Sequence, residues 1–378
     1  MKIAALLLAL LICALLLQAF VVVPFGPNDQ RIAGFYKEPE DSLDIVLIGS
    51  SDIIYGFSPC LAYKEYGYTS YLFSCVENTV GLWKIQMDEA MRTQNPSCIV
   101  VEVNGALYTD ENVKRETNLR LFTNNMPKEA GFNELLSLYS DLYQPNERIT
   151  FYLPYIKYHS NIPLRKRDFD QLANRLDFNR RGESLFKGDS VNFKQPKKSD
   201  TVDLSSDDTA LPLREEQEAF LRFTLENARQ KGLPLLFIRA PHRIDRDNER
   251  NIERTLLANR VGEIVNEYGY DLINYDRLHG EIGIDDKVDF ASREHLNYHG
   301  MQKFTRVLSE ELISRGYLSE KAHPKSITDR WDRSVRLYDQ WMKDALEAHE
   351  GQDRSKMDLF YENESAALLK KLERELGK

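Results

Sequence analysis

The chain has 378 residues, 42% of them hydrophobic and 29% charged, with a formal net charge of −9. That length holds one large domain or two modest ones, and the composition is that of a globular protein. The acidic balance argues against wholesale nucleic-acid binding, and no cysteine–histidine cluster has the spacing of a structural zinc site.

Lys2 is followed by an uncharged apolar run from Ile3 to Val23. Roughly 20 apolar residues span a bilayer as a helix, whereas a cleaved signal peptide has a core of about 7–15 and a small-x-small cleavage site. This run is longer and ends in Val-Val-Val-Pro, so residues 1–24 read as an uncleaved single-pass transmembrane anchor. Ile12 precedes Cys13 where a lipoprotein cleavage site wants a small residue. Lys2 is the one flanking charge, which keeps it inside and puts the remainder outside the cell membrane. Residues 25–41 read as a linker. Beyond the anchor come Cys60, Cys75 and Cys98. An odd number does not make a disulfide framework; a Cys60–Cys75 bridge and small buried thiols are both open readings.

Residues 42–318 carry an α/β rhythm. Asp44–Ile48 is a β-branched run, Tyr68–Cys75 a second strand, Gly81–Gln94 a helix stopped before Pro96, and Cys98–Asn104 a third strand with little alternation. Such strands are covered on both faces, so a three-layer parallel sheet flanked by helices is expected. Residues 108–212 break the rhythm and read as an insertion that could shape a substrate cleft. It holds "FYLPYIKYHSN", the basic Arg165-Lys166-Arg167, and a polar stretch before Pro212 read as a mobile surface loop. The rhythm resumes with a helix over Arg214–Gly232, a strand over Pro234–Pro241, a second helix ending at Gly269, a strand in "DLINYD" and a last helix from Met301 to Gly316. Residues 319–378 form a charged helical tail in which Trp331, Leu337, Tyr338 and Trp341 suggest one packing face.

Gly49-Ser50-Ser51 ends the first strand, where open α/β sheets place ligands. A serine there is a candidate nucleophile if a base adjoins it, and backbone N–H groups at the turn can hold an oxyanion. Ser-Ser-Asp after a strand is equally a helix N-cap. His295, in "DFASREHLNYHG", is the candidate base, and Asp289 and Glu294 are the nearby carboxylates; an idle loop histidine is the plain alternative.

A strand-end Gly-Ser-Ser early and Asp…His-Leu-Asn before the last core helix resemble the SGNH (GDSL-type) hydrolase superfamily. "IGSSDIIYGFSP", "PSCIVVEVN", "FYLPYIKYHSN", "FKG", "LPLLFIRAP" and "VDFASREHLNYHGMQKFT", in that order over residues 42–318, resemble its membrane-anchored branch, which includes the D-alanyl transfer protein of teichoic-acid modification. The resemblance implies a flavodoxin-like fold, Ser51 as nucleophile and His295 as base. Asn104 and the Ser51 and Gly81 backbone amides would serve as oxyanion donors, and His159 would face the cleft, although packing among Tyr152, Tyr155 and Tyr158 also fits it. The family's acid stands three residues before the histidine, and here that position is Ser292. Three arrangements are open: Asp289 completes the triad, a backbone carbonyl orients His295 in a Ser–His dyad, or the site is weak and the protein binds and presents substrate. The implied activity is cell-surface acyl transfer or ester hydrolysis, with a membrane-bound O-acyltransferase and a cell-surface polymer or lipid-linked glycan as partners. The alternative is a non-catalytic assembly protein for polymer modification or export. No metal or organic cofactor is indicated.

Overall fold

The computed structural model describes residues 25–108, 113–160, 183–195, 200–318 and 322–348, with isolated positions elsewhere and the pair 360–361. Most of the apolar run 3–23, the basic run Arg165–Arg167 and nearly all of the chain past 348 lie outside the described residues. Among the described residues no helix is long and apolar enough to cross a membrane.

The described strands are β1 (Ile45–Ile48), β2 (Ser70–Leu72), β3 (Cys98–Glu102), β4 (Val191–Asn192), β5 (Leu235–Arg239), β6 (Leu272–Asn274) and β7 (Phe360–Tyr361). Five of them form one parallel sheet in the order β2-β1-β3-β5-β6, while β4 and β7 pair antiparallel apart from it. β1 is apolar throughout and β3 is apolar up to Val101 because both faces are covered, and successive side chains go to opposite layers. Val46, Ile48, Ile99, Val101 and Phe237 join one core with the helices Val80–Thr93, Glu215–Lys231 and Glu249–Glu267. Ile45, Leu47, Val100 and Ile238 join the other, against Phe304, Leu308 and Leu312 of the helix Tyr298–Ser314. The helix Glu215–Lys231 has acids in its first turn and Arg229 and Lys231 in its last, matching its dipole, and Gly232 at φ +62° takes the left-handed position that ends it.

Register sets what the strand ends bring together. Ile48 lies opposite Val101, Glu102 opposite Ile238, and Arg239 opposite Asn274. The segments after β1, β3, β5 and β6 therefore share one edge of the sheet. β2 and β3 lie on opposite sides of β1, so the strand order reverses there, which makes a crevice at this edge.

Two expectations are corrected and one pair of open alternatives is decided. Residues 25–41 are not a linker: Pro27–Phe35 is a helix, started by Pro27 at its first turn and by the Asp29 carboxylate accepting the Gly26 N–H at 2.9 Å. Its Ile32 and Phe35 are fully buried, and Phe35 stacks on Phe73 at 3.9 Å between ring centroids. The bridge between Cys60 and Cys75 is absent, since all four thiols are free and these two sit in separate cores. The polar loop before Pro212 is partly pinned: Val202 donates its N–H to the Ile244 carbonyl at 2.8 Å, and Thr201 pairs with Asp245.

The tail's helix, Lys325–Ala348, folds back on the domain. Leu337, Tyr338, Trp341 and Met342 recur at helical spacing and bury against Phe186, Phe193, Tyr298 and Met301, while Trp331 stacks on Tyr63. The described helices of the insertion include Glu116–Asn125, Ala130–Leu138, Pro145–Tyr152 and Pro154–Tyr158. Leu119, Phe122, Leu135 and Phe151 tie the first three to the first core.

Candidate active site

Gly49 lets the end of β1 meet the end of β3: a Cβ there would lie 2.6 Å from the Glu102 Cβ. The buried Glu102 carboxylate joins the two ends, accepting from the Ser50 N–H (3.2 Å), the Ser50 hydroxyl (2.9 Å) and the Asn104 N–H (2.8 Å). Ser50 is thus the buried member of the serine pair, and it caps the helix Ser51–Ile54 by accepting the Asp52 N–H. Ser51 begins that helix and is only half-buried. One serine builds the turn and the other is presented at its surface.

His295 reaches the same edge from a loop closed by Asn297. The Asn297 amide donates to the Val288 and Phe290 carbonyls and accepts the His299 and Gly300 N–H groups at the start of the next helix. Ala291 and Ser292 donate their N–H groups to the His295 carbonyl, and the Ser292 hydroxyl accepts the His295 N–H at 3.1 Å. The result places His295 Nε2 2.9 Å from Ser51 Oγ, with the Tyr55 ring packed on the imidazole at 4.8 Å. That is hydrogen-bond reach for a nucleophile and its base, 244 positions apart in the chain.

Asp289 is the main correction. It is fully buried, and its Oδ2 accepts from the Asp285 N–H and from Lys303 Nζ, both at 2.7 Å, while Oδ1 has no partner. Six residues of hairpin-like loop point it into the fold to clamp the helix Tyr298–Ser314, away from the imidazole. The carboxylate beside the pair is Asp52, with Oδ1 3.7 Å from His295 Nε2.

Behind Asp52 runs a buried chain of charges that sequence reading missed. Asp52 Oδ2 accepts from His242 Nε2 at 2.9 Å, and His242 Nδ1 is 3.0 Å from Asp276 Oδ1. Asp276 Oδ2 accepts from Arg239 Nε at 2.9 Å, and Arg239 also donates to Asn104 Oδ1 at 3.0 Å. Both ring nitrogens of His242 face carboxylates, which only accept when ionised, so the ring carries both protons. Burial and Arg239 oppose that charge, but Asp276 and Asp52 outweigh them and hold His242 up to about 9. Burial alone would raise Asp52 and Asp276; their cationic neighbours instead hold both below the usual carboxylate range. Glu102 goes the other way, raised to about 7 by burial and by Asp52 against the pull of Arg239. With Glu102 neutral, two cations face two anions and the network is balanced. The legible signals were an acid directly after the serine pair and "RAPHR", an arginine and a histidine at the end of a buried strand.

The sequence matches no family model and no curated protein. What the site can do therefore rests on its geometry. Asn104 is close to Ser50: Arg239 holds its oxygen, so its amide nitrogen is the end that faces Ser50 Oγ, at 3.4 Å. Gly81 is in the first turn of the helix Val80–Thr93, pressed against the Val113 carbonyl and the Tyr139 hydroxyl, and no described contact joins it to Ser51. His159 ends a short helix in the exposed part of the insertion with Nδ1 2.8 Å from the Ile156 carbonyl, so the structure does not bring it to the pair. A cavity of about 330 Å³ opens at the same sheet edge, lined by Thr201–Ser205, Ile244, Asp276, Arg277, His279 and Glu281, but neither Ser51 nor His295 borders it. Among the described residues no group of three potential ligands could hold a metal.

The network predicts how stability depends on pH. The neutral Glu102 is favoured by folding, so its contribution is complete below its ordinary value of 4.5 and is lost as pH rises through about 7. The charged His242 is favoured, so its contribution is complete below 6.5 and is lost as pH rises through about 9. The melting temperature should fall between about pH 4.5 and 9, and Glu102→Gln should remove the part of that fall below about pH 7. A melting temperature unchanged across the window would contradict the charged His242.

Proposed function

We propose that this chain is a serine-dependent acyl-transfer enzyme or esterase, with an SGNH-like, flavodoxin-like α/β domain held to a membrane by Ile3–Val23. The observation that carries the reading is the 2.9 Å approach of Ser51 Oγ to His295 Nε2 at the strand-order reversal of a parallel sheet.

In this reading His295 Nε2 takes the Ser51 proton as Oγ attacks an ester carbonyl. The Ser51 N–H, at the open first turn of its helix, and the Asn104 amide hold the oxyanion. The leaving alcohol departs with the proton from His295, and an acyl-serine remains. Water, or a hydroxyl of a surface polymer, gives its proton to His295 and attacks the acyl-serine; His295 then passes that proton to the departing Ser51 Oγ, which regenerates the serine. Asp52 steadies the imidazolium electrostatically from 3.7 Å. It lies on the side of the nitrogen that reacts, unlike the acid of a conventional triad, which grips the far ring nitrogen. A membrane-bound O-acyltransferase as donor and a cell-envelope polymer or lipid-linked glycan as acceptor, on the outer side of the membrane, follow from the family resemblance. One observation favours the second reading, a weak or inactive site in a polymer-assembly protein. Ser292, in the usual acid position, spends its hydroxyl on the His295 backbone instead of its ring.

A fluorophosphonate probe separates the two. Labelling should be lost in Ser51→Ala and kept in Ser50→Ala. Labelling that survives in Ser51→Ala, or an unlabelled wild type with polymer modification intact in Ser51→Ala cells, would favour the assembly protein.

A further inference from the structure

Twelve large apolar side chains are exposed among the described residues. Three belong to the N-terminal run, three are scattered (Phe223, Val288 and Ile313), and six fall between residues 142 and 176, in the insertion. Leu142, Ile149, Tyr152 and Ile156 come from one 15-residue stretch and are each between 37% and 46% exposed. Such a concentration on an otherwise polar protein marks an interaction surface.

Where the apolar run ends indicates what covers it. Phe25, two residues past Val23, packs on Phe178 of the insertion at 5.5 Å, with the Arg175 guanidinium over its ring. Four residues on, Asp29 Oδ1 accepts from Asn125 Nδ2, at the end of the helix Glu116–Asn125. Arg120 of that helix donates to Thr150 and lies 4.2 Å over the Phe151 ring, which fixes Pro145–Tyr152 in turn. Asn125 and Arg120 are about 7.5 Å apart along the helix axis. The exposed residues thus sit one helix away from the point where a bilayer-length apolar segment joins the domain. Tyr155, Lys157 and Tyr158 follow in the same stretch, a mixture of aromatic and basic residues suited to a membrane interface.

We propose that the exposed apolar residues Ile149, Tyr152 and Ile156 of Pro145–Tyr152 and Pro154–Tyr158, with Leu142 of the turn before them, rest in the headgroup region of the lipid bilayer that holds the anchor. This rests on the reading of Ile3–Val23 as a membrane anchor. The contact gives the domain a second attachment, so that it is oriented on the membrane and does not swing from a single tether.

The test uses the full chain in vesicles of phosphatidylcholine and phosphatidylglycerol, with Cys13→Ala to limit labelling, the other three cysteines being buried. Nitroxides go on Ile149→Cys, Ile156→Cys and, as controls, Val288→Cys and Ile313→Cys. The expected result is vesicle flotation, with positions 149 and 156 relaxed more by oxygen than by a water-soluble nickel chelate and the controls reversed. Flotation with all four positions water-like would overturn the bilayer contact alone. Flotation with 149 and 156 shielded from both reagents would overturn it in favour of a protein partner. A chain that does not float would overturn the anchor and this contact together.

Discussion

Replacing Asp52 by asparagine should slow fluorophosphonate phosphonylation of Ser51 by about 10²- to 10⁴-fold, whereas Asp289→Asn should leave the rate little changed. The two carboxylates are equally buried but differently engaged. Asp289 is committed to Lys303 and the Asp285 N–H, so its loss loosens a loop. Asp52 lies 3.7 Å from the nitrogen that must accept the Ser51 proton and is held ionised by the protonated His242 on its other side. Asparagine keeps the shape and removes the charge that favours the imidazolium. The acid limb of the rate profile should then move to lower pH, which a merely structural defect would not cause. Equal slowing by the two substitutions, with no change in profile, would assign Asp52 a structural role.

The second large effect is on stability. Arg239 is fully buried and holds Asp276 at 2.9 Å and Asn104 at 3.0 Å, with Asp52 at 3.6 Å and Glu102 at 4.0 Å. Arg239→Met fills similar volume but leaves the surrounding carboxylates without their central cation. Removing one member of a buried charged cluster costs about 3–5 kcal/mol. For a domain of this kind that is a fall of about 10 °C in melting temperature. Arg239→Met combined with Asp276→Asn should recover part of the loss, because it also removes a stranded anion. If the double variant melts no higher than the single one, the loss comes from packing and not from unpaired charge. Fluorophosphonate labelling should fall as well, because the Asn104 amide loses the contact that sets its direction.

The sheet was legible from sequence because its cause is local. Runs such as "IVLI" and Cys98–Val101, "CIVV", have no polar face, and a strand without one must be covered on both sides. The helices after residue 213 were legible for the same kind of reason, an apolar stripe closed by glycine. Pro27–Phe35 was not, since nine residues with two buried apolar side chains resemble a linker until Phe73 and Tyr71 supply the surface they pack on. The tail showed its apolar face but not its target, which is assembled from residues 60, 186, 193, 298 and 301.

By itself the sequence determined the five strands of the parallel sheet, the serine pair at the end of β1 and a histidine before the last core helix, because propensity, pattern and turn chemistry act over a few residues. Only the tertiary structure decided which serine faces outward, that Asp52 and not Asp289 stands beside His295, and that Arg239, His242 and Asp276 back it. Those outcomes depend on strand register and on the balance of buried charge. Both are set by residues brought together from the ends of four strands, at separations no local pattern records.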